Sequence, residues 1–346
     1  GEGQTLFDFH GGDDGGDTAA VTGPAETADT AATLPGTVHD AEKIDTLPPG
    51  DTSVISRLKT RASGTRRVSL ADGDPSGVVI EGPASRERYR ILDEIARGGM
   101  GAIVMIVDND IRRAVAMKVI LGGEDEEKVV RFVEEAQVTG QLEHPNIVPV
   151  HELGLDPKGH VYFTMKLVKG DSLEDIVDRL AERDARARET FTLSHLLQIF
   201  LKVCDAMAFA HSKGVIHRDL KPENVMVGRF GEVLVMDWGL AKVAGLEDVR
   251  REELISSIRS EKEVGRTLTG DVMGTPSYMP PEQADGRVEE IDARSDVFAL
   301  GGILYRCLTF QPPFTGETVA NVLKKAVRGD VMPARRRSPA LKIPAE

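Results

Sequence analysis

Excess positive charge, cysteine and long apolar runs are all scarce in this chain of 346 residues, and each scarcity excludes something. Lys and Arg number 43 against 56 Asp and Glu, a formal net charge of −13. A nucleic-acid-binding surface is therefore not its main business, because phosphate backbones reward clustered cations. The only cysteines, Cys204 and Cys307, both stand inside apolar segments. They read as buried thiols of a reducing compartment rather than as a disulfide, a metal site or a nucleophile. No stretch approaches the roughly 20 apolar residues that a spanning helix needs, and the N-terminus lacks a basic-then-apolar signal pattern. A cytoplasmic location is expected, with the alternative that this is the cytoplasmic part of a larger, membrane-anchored protein, since the chain starts at Gly1 without a methionine. No internal repeat is visible.

The 40% hydrophobic content is enough for a real core. It is unevenly spread. Residues 1–85 are rich in Gly, Asp, Thr and Ala, contain the loop signals Pro35-Gly36 and Pro48-Pro49-Gly50, and are predicted to be a disordered, acidic, low-complexity segment that cannot repay its ordering entropy. Within it, Arg57, Lys59, Arg61, Arg66 and Arg67 form a basic cluster, read as part of a solvated tether. From Tyr89 the texture changes to short β-branched runs, Tyr89 to Ile95, Ile103 to Val107 and Val115 to Ile120. A helical stretch follows from Glu126 to Leu142, then strand-like runs around Ile147 to Leu153 and His160 to Leu167. After Gly170 the pattern is mainly helical, most clearly where Leu193, Leu197, Phe200, Cys204, Met207 and His211 recur at i+3 and i+4. The expectation is an α+β chain with a sheet-rich lobe over about 86–167 and a helical lobe over about 168–346.

Four constellations carry chemistry. Ala96-Arg97-Gly98-Gly99-Met100-Gly101-Ala102-Ile103 lies between two strands, where the backbone N–H groups of a hairpin can fold over a nucleotide; taken alone it is also an ordinary hairpin turn. In Val115-Ala116-Met117-Lys118 the period-two alternation puts Ala116, Lys118 and Ile120 on one strand face. On the next helix Phe132, Glu135, Thr139 and Leu142 share a stripe, so Glu135, and not Glu134, is the candidate partner of Lys118. Asp237-Trp238-Gly239 follows the apolar run Val233 to Met236, and a carboxylate at a strand end before a glycine suits a divalent cation.

The fourth constellation is His217-Arg218-Asp219-Leu220-Lys221-Pro222-Glu223-Asn224. All eight residues agree with the catalytic loop of protein kinases without a gap, and the chain resembles the bacterial eukaryotic-like (Hanks-type) serine/threonine protein kinases over roughly residues 88–330. The resemblance implies a two-lobed kinase fold and ATP-dependent transfer of phosphate to Ser/Thr hydroxyls, with magnesium, or manganese, as the metal. It implies that Asp219 accepts the hydroxyl proton, that Lys221 contacts the transferred phosphate, that Asn224 and Asp237 bind the metal, and that Lys118, paired with Glu135, holds the α- and β-phosphates. Residues implied to line the nucleotide are Ala96, Gly98, Gly99, Gly101, Ile103, Ala116, Lys118, Met165, Lys166, Val168 and Met226, with Met165 as gatekeeper and the backbone of 166–168 holding adenine.

Departures from the family pattern are Ala96 for the first glycine, Trp238 for phenylalanine, Lys166 for glutamate and Pro280 for alanine. Trp238 is expected to pack in the apolar column under the helix of Glu135, and Asp296 to anchor the catalytic loop. Thr267 and Thr269 stand where activating autophosphorylation occurs, with Arg218 as the phosphate's partner; Thr275 resembles the threonine that shapes the substrate groove. Arg66-Arg67-Val68-Ser69-Leu70 is a further candidate for autophosphorylation. Implied partners are protein substrates, a second copy for trans-autophosphorylation and a phosphothreonine-binding protein. The chain stops at Glu346, where members of the family continue with two further helices and an arginine that pairs with the glutamate matching Glu282, so the last helices are expected to be missing. The rival readings are a nucleotide-binding pseudokinase or scaffold and a small-molecule phosphotransferase.

Overall fold

The structure is a computed structural model that describes residues 56–58, 88–98, 101–120, 126–156, 159–243, 276–341 and 343. Ser69, Gly99, Thr267, Thr269 and Thr275 lie outside the described residues, as does nearly all of the segment 1–85.

Alternating side chains build the first lobe. Strands β1 (Tyr89–Arg97), β2 (Gly101–Asp108), β3 (Arg113–Ile120), β4 (Val150–Leu155) and β5 (Val161–Met165) form one antiparallel sheet in the order β1-β2-β3-β5-β4. Val115, Met117 and Val119 of β3 pack on one face with Tyr89, Val104 and Tyr162. Ala116 and Ile120 pack on the other, against Val129, Phe132, Val133 and Ala136 of helix α1 (Glu126–Gln141). Strand alternation thus puts Lys118 on the side that faces the helix. The apolar and polar runs predicted their elements to within a few residues.

The second lobe begins with β6 (Gly170–Ser172) and α2 (Leu173–Ala181), whose start is fixed by a capping box of Ser172 and Asp175. Then come α3 (Ala185–Thr190), α4 (Leu193–Ser212), β7 (Val215–Ile216), β8 (Val225–Gly228), β9 (Val233–Val235) and β10 (Lys242–Val243). The last helices are α5 (Pro281–Ala284), α6 (Ala293–Thr309), α7 (Val319–Arg328) and α8 (Ala334–Arg337). The lobes are joined by more than the chain. Asn146 N–Hδ2 donates to the Val233 carbonyl at 2.9 Å, and Ile147 and Val235 bridge in parallel fashion, through Val148 N–H to the Val235 carbonyl and Val235 N–H to the Asn146 carbonyl, to pin the approach to β4 on the second lobe.

The helix read from the i+3 and i+4 spacing is α4, and the expectation about spanning segments needs correction there. Its buried side is Leu196, Ile199, Val203, Ala206, Met207 and Ala210, whereas Leu193, Phe200 and Cys204 are only half-buried and Leu197 is exposed. The helix is apolar around most of its circumference, so i+3/i+4 spacing does not single out one stripe. For the same reason α4, with 20 residues, is long and apolar enough by length and composition to cross a membrane. That contradicts the expectation that no segment comes near this. In the fold it is the central helix of the second lobe, packed on α6 and β9.

A backbone carbonyl imposes glycine at 101. A Cβ there would meet the Val119 oxygen at 2.3 Å, within the β2–β3 ladder that pairs Gly101 with Ile120. Gly101→Ala is expected to cost about 2–4 kcal/mol, read from urea unfolding, because backbone and not a side-chain end must move.

Cys307, on α6, is fully buried, which pushes its thiol up to about 12. The folded state then resists ionisation that the unfolded chain undergoes near 9, so this contribution to stability is complete below that value and is lost as pH rises towards about 12. Cys307 should not react with thiol reagents in native protein at about pH 8–9, and should react on unfolding; labelling followed by peptide mapping checks this.

Candidate active site

Lys118 projects from β3 and Glu135 from α1, and their side chains meet with Nζ 2.6 Å from Oε1. Glu135 is only 6% exposed at its side chain and Lys118 15%, so neither charge is well solvated without the other. Removing Lys118 would leave the Glu135 carboxylate buried without this partner, at about 3–5 kcal/mol. Lys118 Nζ also lies 3.8 Å from Asp237 Oδ1, which brings the two lobes' charged groups to one point. Glu134 is half-buried, consistent with its place off the stripe.

The loop between β7 and β8 is held from below. Asp296, in the first turn of α6 and 1% exposed, accepts the backbone N–H of His217 at 2.8 Å and of Arg218 at 3.0 Å. The same carboxylate takes Nε2–H of His211 at 2.7 Å. Arg218 is in the left-handed region at φ 69°, a conformation that costs a non-glycine residue ~1 kcal/mol or more and so needs such anchoring. Gln283 of α5 adds a hydrogen bond from Nε2 to the Arg218 carbonyl at 2.9 Å.

These contacts present Asp219 to the cleft. Lys221 Nζ donates to its Oδ2 at 2.9 Å, and Asn224 Nδ2 donates to its carbonyl at 2.8 Å and to Oδ2 at 3.4 Å. Both side-chain contacts fall on Oδ2, and Oδ1 takes neither of them. Burial works against the charge on Lys221, but Asp219, Glu223 and Asp237 outweigh it and raise its pKa. Glu223 is pushed up, chiefly by burial.

Asp237 ends the run after β9 at φ 55°, and its side chain is 52% exposed to the cleft. Crowding by protein atoms opposes its ionisation, yet Lys118, His217, Lys221 and the Gly239 N–H together hold its carboxyl below the usual range. Trp238 is 1% exposed and shares the core of Val138 at the end of α1 and Leu142 just past it, as expected for the apolar column under that helix. Its ring lies 4.7 Å from that of His217, whose Nε2 is 3.1 Å from the Met236 carbonyl. Among the described residues the indole N–H finds no acceptor, a cost that phenylalanine would not carry.

The remaining described nucleotide-lining candidates stand on the β1–β2 hairpin, on β3 and β5, in the linker and on β8. Ala96 pairs with Ile103 in the β1–β2 ladder, and Gly98 N–H bonds the Gly101 carbonyl at 2.9 Å beside the loop tip. Ala116 faces buried Met165 across β3–β5, Lys166 and Val168 follow in the linker, and Met226 lies half-buried on β8. Lys166 turns its side chain to Glu232, with Nζ 3.4 Å from Oε1. Glu282 accepts the Ser295 hydroxyl at 2.5 Å.

Sequence reasoning missed His211 and Gln283, the other supports of the loop. It also missed Arg306, a buried cation that bonds Glu174 at 2.7 Å from 132 residues away and also reaches Asp178. Tyr278 Oη joins this group through Glu174 at 3.4 Å. None has a local pattern to mark it, since each partner is supplied by a distant element.

A five-stranded sheet with one inward helix, a helical second lobe, and a cleft with Lys118–Glu135 above and Asp219, Asn224 and Asp237 below define a protein kinase. The family model described as "Protein kinase domain" matches residues 89–344, and the chain belongs to that family. It is of the bacterial eukaryotic-like serine/threonine type, as the catalytic loop led one to expect. More particularly, it is 36% identical over 270 residues to the serine/threonine-protein kinase PknD of Protochlamydia amoebophila (strain UWE25), covering 76% of this chain and 27% of that protein. It is 35% identical over 238 residues to PknD of Chlamydia muridarum, covering 66% and 25%. With PknD of Chlamydia trachomatis serovar D the identity is 34% over 268 residues, covering 75% and 28%. The chain thus spans about a quarter of the length of these curated relatives.

Asp296→Asn should lower stability by about 2–4 kcal/mol, because an amide oxygen replaces a carboxylate that accepts three hydrogen bonds and its NH2 would face donors. Urea unfolding measures the loss, and hydrogen exchange at 217–219 should rise with it.

Proposed function

We propose that this chain is an ATP-dependent serine/threonine protein kinase, with a segment over 1–85 ahead of a catalytic domain over 86–346 whose lobes divide near residue 167. The observation that carries this reading is the convergence of Asp219, Lys221, Asn224 and Asp237 beneath a closed Lys118–Glu135 pair.

Each residue then has work its surroundings suit. The oxygen of a Ser or Thr hydroxyl attacks the γ-phosphorus, the bond from that phosphorus to the bridging oxygen breaks, and ADP leaves. The hydroxyl proton passes to Asp219, through the oxygen that Lys221 and Asn224 leave open. Lys221 offsets charge on the transferred group, and Lys118, oriented by Glu135, holds the α- and β-phosphates. Backbone groups of Lys166 and Val168 take adenine, between Ile103, Ala116, Met165 and Met226, while Ala96, Gly98, Gly99 and Gly101 cover the phosphates. Asp237 and Asn224 offer the hard oxygen ligands that magnesium or manganese prefers, and such an ion would neutralise β- and γ-phosphate oxygens. The Asn224 amide fits this, since its NH2 is already bound to Asp219 and its oxygen is left over. Among the described residues no three His, Cys, Asp or Glu side chains converge, so the nucleotide's own phosphates would complete the coordination.

The finer proposals are that Thr267 and Thr269 are autophosphorylated by a second copy and then pair with Arg218, that Thr275 shapes the substrate groove, that Ser69 is a further phosphorylation site, and that a phosphothreonine-binding protein reads the marks. A cytoplasmic setting belongs with this reading. Asp219→Asn is expected to lower phosphate incorporation ~10²–10⁴-fold while nucleotide still binds. Native protein that binds ATP with magnesium or manganese yet phosphorylates neither itself nor a generic protein substrate would instead favour the scaffold reading; phosphosite mapping of both proteins decides.

A further inference from the structure

Residues Ser56, Arg57 and Leu58 form a helical turn that lies outside the matched domain of 89–344, and Leu58 nevertheless packs on the core of the first lobe. The cluster it joins is the one between sheet and α1, formed by Ala116, Ile120, Val129, Phe132, Val133, Ala136 and their neighbours. Ser56 and Arg57 point outward while Leu58 is partly buried, so the turn is two-faced in the sense a docked helix requires.

The sequence around this turn has the same character. Val54 and Ile55 stand four and three residues before Leu58, the spacing at which apolar residues share one helix face. They are concentrated in a region otherwise poor in large apolar residues. Arg57, Lys59 and Arg61 alternate along the segment, and the approach to α1 reads Gly122-Gly123-Glu124-Asp125-Glu126-Glu127, four consecutive acids. Glu126 and Glu127 are exposed in the first turn of α1. Leu58 supplies an apolar anchor, and in sequence the charge of its segment is opposite to that of the approach to α1.

We propose that the segment around 54–61 is an intramolecular docking element that occupies the α1 side of the first lobe, with Leu58 as its anchor. The occupant is this chain's own N-terminal segment. Its consequence follows from what α1 carries: Glu135, one and a half turns or so past Val129, holds Lys118 at 2.6 Å, so anything that fixes α1 fixes that pair. Leu58 is a positioning residue in this sense and touches no reacting group. The docking does not depend on phosphotransfer, and its test reads no activity.

The full chain and its Leu58→Asp variant would be compared by hydrogen exchange resolved to peptides. Exchange in α1 is expected to quicken at least about fivefold in the variant, with the β8–β9 hairpin unchanged as an internal control. A fluorescent peptide of residues 50–65 should bind the variant, whose surface is vacated, and bind native protein far more weakly. Unchanged exchange in α1 together with no peptide binding to the variant overturns the proposal. If Leu58→Asp exchanges faster throughout the chain, Leu58→Ala replaces it: a selective rise in α1 supports docking, and none overturns it.

Discussion

The Asp296 carboxylate is the group on which the rest of the site depends. It is a buried carboxylate made tolerable by two backbone N–H groups, an imidazole N–H and its place in the first turn of α6. The geometry works in both directions. The N–H groups of His217 and Arg218 stabilise the anion, and the anion holds Arg218 in a left-handed conformation that its own side chain disfavours. Asp219 is the next residue, so its direction is set by that strained link together with its own contacts to Lys221 and Asn224.

From this anchor the order spreads outward through groups that touch in sequence. His217 stacks obliquely on Trp238, and Trp238 shares a core with the end of α1. Glu135 on α1 meets Lys118, and Lys118 comes within 3.8 Å of Asp237, next to Trp238. Apolar packing and charge pairing therefore close a circuit that crosses the cleft twice. β10 continues it past Gly239 by pairing Lys242 with Ile216, the residue just before His217. A displacement of α1 alone would cost the ion pair and the packing at Trp238 together.

Much of this was legible because it is local. Alternation in β3 selected the face of Lys118, a helical stripe selected Glu135 over Glu134, and the eight residues from His217 to Asn224 named their own chemistry. The face of α4 was not legible, since apolar residues surround it and only its neighbours decide which side is covered. Nor were the partners of Asp296 and Arg306 beyond the motif. A hydrogen bond from His211 or from Gln283 joins residues tens of positions apart, and no periodicity encodes it. Trp238 was placed from the resemblance, which puts phenylalanine at this position, together with its size, but that its indole N–H finds no acceptor among the described residues depends on the shape of the surrounding core.

Lys166 carries one more consequence. Its side chain crosses from the linker between the lobes to Glu232 on the β8–β9 turn, at 3.4 Å, with both groups about a third exposed or more. Such a pair is weak in water and fades with added salt. It ties the linker to the second lobe through a contact whose strength the surrounding electrolyte sets. The hold on the linker would then loosen as ionic strength rises, although no charge within the cleft itself has changed.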